Sequence, residues 1–138
     1  MSPIPARAIR VTVSSRDQRL WAVAARAGAD LVVTVGGGER PHVGCVVVAQ
    51  SHASAKEPGR IRVTSSVLSI PHHREEALAR PLAEALAREL GGVITVTAGV
   101  HDDNLTPEGI ASYLRLAERL RDRLLARLRQ TAPTTPRR

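Results

Sequence analysis

The hydrophobic period of this chain changes part-way along, and that change limits the folds open to it. Up to about residue 70, apolar residues alternate with polar ones or gather in short β-branched runs. These runs are Ile9–Val13, Leu20–Ala25, Leu31–Val35, Val43–Ala49 and Ile61–Ile70, and each reads as a strand. From Glu75 to Leu90 the apolar residues recur three or four apart, at Leu78, Leu82, Ala85, Leu86 and Leu90, which is the spacing of a helix face. A strand pattern returns at Val93–Thr97. A second helix is predicted from Thr106 to about Arg129, with Ile110, Leu114, Ala117, Leu120, Leu124 and Leu128 as its apolar stripe. Thr106-Pro107-Glu108 supplies a hydroxyl cap, a proline in the first turn and an acid near the positive end of the dipole.

The punctuation completes this outline. Polar turns are expected at Ser14–Gln18 and Ala27–Asp30, a loop at Ser51–Gly59, and a break after the third strand at Gly36, Gly37 and Gly38. Pro81 should kink the first helix or mark where its regular part begins, and Gly91-Gly92 should end it. The tight early turns favour neighbours that run antiparallel. The predicted fold is therefore α/β of the α+β kind, an antiparallel or mixed sheet flanked by two main helices. A length of 138 residues fits one domain, drawn at 7–130 with flexible ends at 1–6 and 131–138.

Composition narrows the chemistry. There is no Phe, and Trp21 and Tyr113 are the only large aromatic residues, so Val, Leu, Ile and Ala must fill the core and few rings are available to stack on a ligand. The single cysteine, Cys45, excludes an internal disulfide, and its apolar neighbours mark it as a buried structural thiol. The N-terminus lacks the apolar region of a secretory signal, and no apolar run approaches the roughly 18 residues of a membrane span. A cytoplasmic protein is expected. The net charge of +7 favours anionic partners: nucleic acid, a phosphate-bearing ligand or an acidic protein. Arg115, Arg119, Arg121, Arg123, Arg127 and Arg129 lie on the last helix beside Glu118 and Asp122, which reads as a solvated, salt-bridged face. Without aromatic platforms or a recognised motif, specific nucleic-acid binding is not expected.

Three clusters carry possible chemistry. In GGGERPHVG, residues 36–44, Gly36, Gly37 and Gly38 offer backbone N–H groups for an anion nest, beside Arg40 and His42. No helix follows them, so neither a Rossmann nor a Walker loop fits; a plain hairpin loop is the alternative. His72-His73-Arg74 precedes the first helix, where free N–H groups suit phosphates; two exposed histidines in a loop is the competing reading. His101, Asp102, Asp103 and Asn104 follow a strand. There His101 with Asp103 can form an oriented imidazole, a general base or part of a metal site, or Asp103 and Asn104 can simply shape a turn. No G-x-S-x-G elbow is present. None of the five histidines forms a compact ligand pair with another, so no metal site is assigned.

Taken in order, DLVVTVGGGERPHVG (Asp30 to Gly44), the His73-Arg74 pair opening a helix, and ITVTAGVHDDNLT (Ile94 to Thr106) resemble the LpdD-like family of prenylated-flavin chaperones. These proteins accompany UbiD-type decarboxylases, including gallate decarboxylase. The resemblance spans about Ala29 to Ile110 and implies a proteasome-assembly-chaperone-like sheet flanked by helices, and a homodimer. It further implies a carrier of prenylated FMN (or FMN) that is not itself a catalyst. On that basis the glycine loop, His73 and Arg74 would hold the phosphate, and His42 and His101 the polar edge of the ring. Arg40, Asp103 and Asn104 complete the expected site. The implied partners are a UbiD-type decarboxylase and a flavin prenyltransferase. Two readings from other classes stay open: a small hydrolase or isomerase using His101 and Asp103, with or without a metal, and a basic nucleic-acid-binding module.

Overall fold

The computed structural model describes residue 4 and residues 7–131. The rest of the ends expected to be flexible lies outside the described residues. Six strands and two helices follow one another as β1 (Ile9–Ser15), β2 (Gln18–Ala27), β3 (Asp30–Gly38), β4 (Cys45–Ala53), β5 (Ile61–Ser69), α1 (Glu76–Leu90), β6 (Val93–His101) and α2 (Pro107–Arg129). The sheet order is β1-β2-β3-β6-β4-β5. Only β3 and β6 pair in parallel; the other neighbours are antiparallel. The first turn is tight because Arg16 accepts a left-handed φ of 54°, the second because Gly28 does so at 62°. The return through α1 carries β6 back between β3 and β4, so the sheet is mixed, as expected.

Both helices cover one face of the sheet. Val33, Val96 and Val47 stand side by side across β3, β6 and β4, each fully buried. Leu82 and Leu86 of α1, with Leu116, Leu120 and Leu124 of α2, belong to the same core. Among the described residues no polar or charged side chain is buried, so aliphatic packing alone drives this layer together. Cys45 belongs to it, and burial pushes its thiol pKa up, as suits a structural cysteine. The stripe predicted for α2 is partly wrong at its start: Ile110 is 49% exposed, whereas Tyr113 is buried. Among the described residues no element covers the opposite face of the sheet. Its register rows run Ala25–Val32–Thr95–Val48–Ser66 and Val23–Thr34–Thr97–Val46–Leu68, and Val32, Val48 and Leu68 are exposed.

Several expected boundaries shift. Gly36, Gly37 and Gly38 do not break the third strand but continue it, pairing with Trp21 and Leu20 on one side and with Gly99, Val100 and His101 on the other. Gly36 and Gly37 lie in ladders on both sides, which takes them out of the expected anion nest, whereas Gly38, at a φ of 72°, pairs on the β6 side alone. These glycines provide clearance instead. A side chain on Gly36 would strike the Trp21 ring, and one on Gly37 the Arg19 carbonyl and Leu20. Likewise β6 runs on to His101, so Ala98–His101 is strand rather than loop, and β4 extends to Ala53. Pro81 lies inside α1 on its exposed side, and the helix runs through it.

The arginines of α2 meet the expectation in part: Arg121 pairs with Asp122 and Arg129 with Glu89, at 3.0 and 2.7 Å, but three others turn to the backbone of β1. Arg119, Arg123 and Arg127 donate to the carbonyls of Ser14, Thr12 and Arg10 at 3.1, 2.7 and 3.4 Å. Four helical residues rise about 6 Å and two strand residues about 6.6 Å, so arginines four apart match alternate carbonyls of an edge strand. From β2, Arg26 donates to the Leu128 and Thr131 carbonyls at 3.0 and 2.8 Å, closing the C-terminal end of α2. Much of the basic charge is therefore engaged within the domain. Among the described residues, no helix is long and apolar enough to cross a membrane.

Candidate functional site

The parallel pair β3 and β6 ends at Gly38 and His101, and the predicted residues gather around that end. Residues 39–44 turn back along β6: the N–H groups of Glu39 and Arg40 donate to the His101 carbonyl at 2.8 and 3.2 Å, and that of Gly44 to the Ala98 carbonyl at 2.9 Å. Gly99 makes this passage possible, because a Cβ there would overlap the backbone of His42. The loop thus carries Arg40 and His42 to the tip of β6.

At that tip Arg40 Nη2 lies 2.6 Å from both His101 Nε2 and Asp103 Oδ1. His101 Nε2 is itself 3.1 Å from Asp103 Oδ1. A guanidinium only donates and a carboxylate only accepts, so Nε2 meets one contact or the other according to the tautomer of the imidazole. Arg40 and Asp103 are well exposed, so the contact orients more than it stabilises. Beside it, Asp102 accepts from the Glu39 N–H at 2.9 Å through one oxygen and from the Tyr113 hydroxyl through the other. Burial first, then the hydrogen bond to Asp102 and its charge, raises the Tyr113 pKa well above the ordinary phenol range, so this hydroxyl keeps its proton.

A second cluster lies next to the first. His42 Nε2 and His73 Nδ1 are 3.0 Å apart, and Glu75 Oε1 is 2.9 Å from His42 Nε2 and 3.8 Å from His73 Nδ1. His73 and Arg74 precede α1 rather than open it, since the cap position is Glu75. Its carboxylate turns to the histidines, and α1 begins without a side-chain cap. By contrast, Thr106 caps α2 as predicted, accepting from the Gly109 N–H at 3.1 Å. The first N–H groups of α1 are thus left without a side-chain partner.

Between the clusters is a cavity of about 300 Å³ bounded by His73, Arg74, His101 and Tyr113, with aliphatic walls from Leu78, Val100, Leu105, Ile110 and Leu114. Among the described residues Arg74 has no hydrogen-bonding or ion-pairing partner. The cavity unites His73, Arg74 and His101; His42 touches it through His73, and Arg40 and Asp103 through His101. Gly36 and Gly37 do not reach it. Gly38 and Asn104 line a neighbouring depression with Gln18, Asp102 and Asp103. There Asn104 adopts a left-handed φ of 57°, the turn-shaping role considered for it. Sequence reasoning passed over Glu75 and Tyr113 as site residues and gave Asp102 no role within its cluster. The signals were an acid two residues after His73, and a lone tyrosine seven residues after a helix cap.

Comparison with known proteins agrees with this architecture. Residues 14–129 match the family described as the prenylated flavin chaperone LpdD-like domain. Protein LpdD of Lactiplantibacillus plantarum is 25% identical over 115 residues, which is 83% of this chain and 81% of that protein. The crystal structure of a chaperone complex for yeast 20S proteasome assembly superimposes with a TM-score of 0.58 at 14% identity, covering 87% of this chain and 95% of that one. At such identity the likeness concerns fold alone, and it bears out the sheet-and-helix arrangement expected from the sequence. The match over most of its length places this chain in the LpdD-like prenylated-flavin chaperone family.

Proposed function

We propose that this protein binds prenylated FMN and delivers it to a UbiD-type decarboxylase during maturation of that enzyme. The observation that carries the reading is a cavity with a phosphate-suited end and an apolar body. Among the described residues Arg74 is unpaired beside the uncapped start of α1, a combination that suits a phosphate. Val100, Leu105, Ile110 and Leu114 offer aliphatic walls to a ring system, and the His101 imidazole, braced by Arg40 and Asp103, offers it a polar edge. With Tyr113 the one large aromatic ring in the cavity lining, the hold is moderate, which suits a carrier that must release its cargo.

The test is to express the protein with a flavin prenyltransferase and purify it without oxygen. A flavin spectrum that survives gel filtration is expected, together with activation of a separately purified apo-decarboxylase. Protein that emerges colourless and activates nothing would refute the reading.

The carrier is proposed to act as a homodimer joined through the uncovered face of the sheet. That face carries Val32, Val48 and Leu68, the last 66% exposed, in rows otherwise rich in Thr and Ser. Exposed apolar patches of this kind mark association surfaces. Leu68→Asp should convert a dimer, measured by light scattering, into a monomer with an unchanged circular dichroism spectrum. A monomeric parent protein, or a variant that still dimerises, would rule this surface out.

A further inference from the structure

We propose that His42, His73 and Glu75 form a binding site for a divalent transition-metal ion of the zinc class. The inference does not depend on the flavin reading. These three half-buried residues come from two separate segments, the loop along β6 and the lead into α1, and their ligand atoms converge. The separations are 3.0 Å between His42 Nε2 and His73 Nδ1, 2.9 Å from Glu75 Oε1 to the first, and 3.8 Å to the second. Ligands about 2.1 Å from a tetrahedral zinc stand about 3.4 Å apart. The observed distances bracket that value, so an ion fits among them with little movement.

Proton bookkeeping points the same way. His42 Nδ1 lies 3.0 Å from the Arg40 carbonyl, which only accepts, so Nδ1 must be the protonated nitrogen. A neutral His42 then presents a bare Nε2. That lone pair can accept a proton from His73 Nδ1, yet it also stands 2.9 Å from a carboxylate oxygen that accepts as well. Between two acceptors at that distance a proton or a metal ion must lie, and the converging third ligand suits the metal. An imidazole that donates its far N–H to a backbone carbonyl is the usual posture of a metal-ligating histidine.

The carboxylate supplies a second, independent sign. The Glu75 side chain is only 10% exposed, and its Oε2 is buried without any hydrogen-bond partner. It rests against Gly44, where any side chain would collide with it. A carboxylate so enclosed is costly unless a cation compensates its charge. Two imidazoles and one carboxylate are ligands that zinc accepts, and thiolate-seeking ions find no sulfur there. With three protein ligands the coordination is incomplete, and His73 and Glu75 also line the cavity, so the remaining position is available to water or to an anionic ligand.

The experiment uses tag-free, flavin-free full-length chain stripped with EDTA. Zinc is titrated by calorimetry, and cobalt(II) is followed by its visible absorption. One zinc per chain is expected, with intense four-coordinate cobalt bands and a zinc-dependent rise in the unfolding midpoint. His42→Ala and Glu75→Gln should each weaken zinc binding by about 100-fold, while His52→Ala, on the exposed part of β4, should leave it unchanged. Circular dichroism identifies any variant that fails to fold. Parent protein that binds no zinc would overturn the site without reference to any variant. So would folded His42→Ala or Glu75→Gln protein that keeps parental affinity, or a loss equal to theirs in His52→Ala.

Discussion

Replacing Gly99 with alanine is expected to destabilise the domain by about 3 kcal/mol, at the top of the usual range for overpacking. Gly99 lies in β6, paired with Gly36 of β3 on one side and flanked on the other by the loop of residues 39–44, just past the end of its pairing with β4. Its missing side chain is replaced by the His42 backbone, whose carbonyl would overlap a Cβ outright. Backbone yields less readily than the end of a flexible side chain, so the variant must displace residues 39–44 or distort the sheet. Moving the loop would break the bonds of Glu39 and Arg40 to the His101 carbonyl and of Gly44 to the Ala98 carbonyl. Urea unfolding should show a lower midpoint at constant slope, and amide exchange in residues 39–44 should accelerate. A change under about 0.5 kcal/mol, the size of a neutral surface substitution, would show that the loop is not seated in this way.

Arg74→Glu should reduce affinity for prenylated FMN about 100-fold. Removing a charge-assisted bond costs about 1.5–3 kcal/mol, and a carboxylate facing a phosphate adds repulsion. Because Arg74 has no partner among the described residues, its replacement should leave the unfolding midpoint nearly unchanged, which separates a binding effect from a folding one. Arg88→Glu, near the other end of α1, is the matched control for net charge. Binding is measured under anaerobic conditions by fluorescence quenching or equilibrium dialysis. Equal affinities for parent and Arg74→Glu protein would remove the phosphate role from this arginine.

The elements of the fold were largely legible because the periodicity of apolar residues reports directly on burial. The alternating Leu31, Val33 and Val35, and the three-four spacing of Leu78, Leu82 and Leu86, are all core positions. Thr106 and Pro107 located the start of α2 because their chemistry is local. The glycines misled for the opposite reason. Local preference makes Gly36-Gly37 a breaker, but what they accommodate is Trp21 and Leu20, far away in sequence. Non-local contacts also hid the site's second half. Nothing near residue 42 announces that Glu75 will arrive beside it, and nothing near Tyr113 names Asp102 as its acceptor. The arginines of α2 were half read on the same grounds: Arg121 does pair with its neighbour Asp122, but the Ser14 and Thr12 carbonyls that take Arg119 and Arg123 were not visible.

The guanidinium row along β1 has a consequence for assembly. A flat sheet border invites a foreign strand to add itself, and then another, which is how fibres grow. Here one border is stitched shut at the oxygens of Arg10, Thr12 and Ser14, leaving β5 as the free one. Strand addition could then join two copies at β5 and go no further, while the dimer proposed above uses the face of the sheet instead. Three of the arginines that make this chain basic thus cover a border that a foreign strand could otherwise extend.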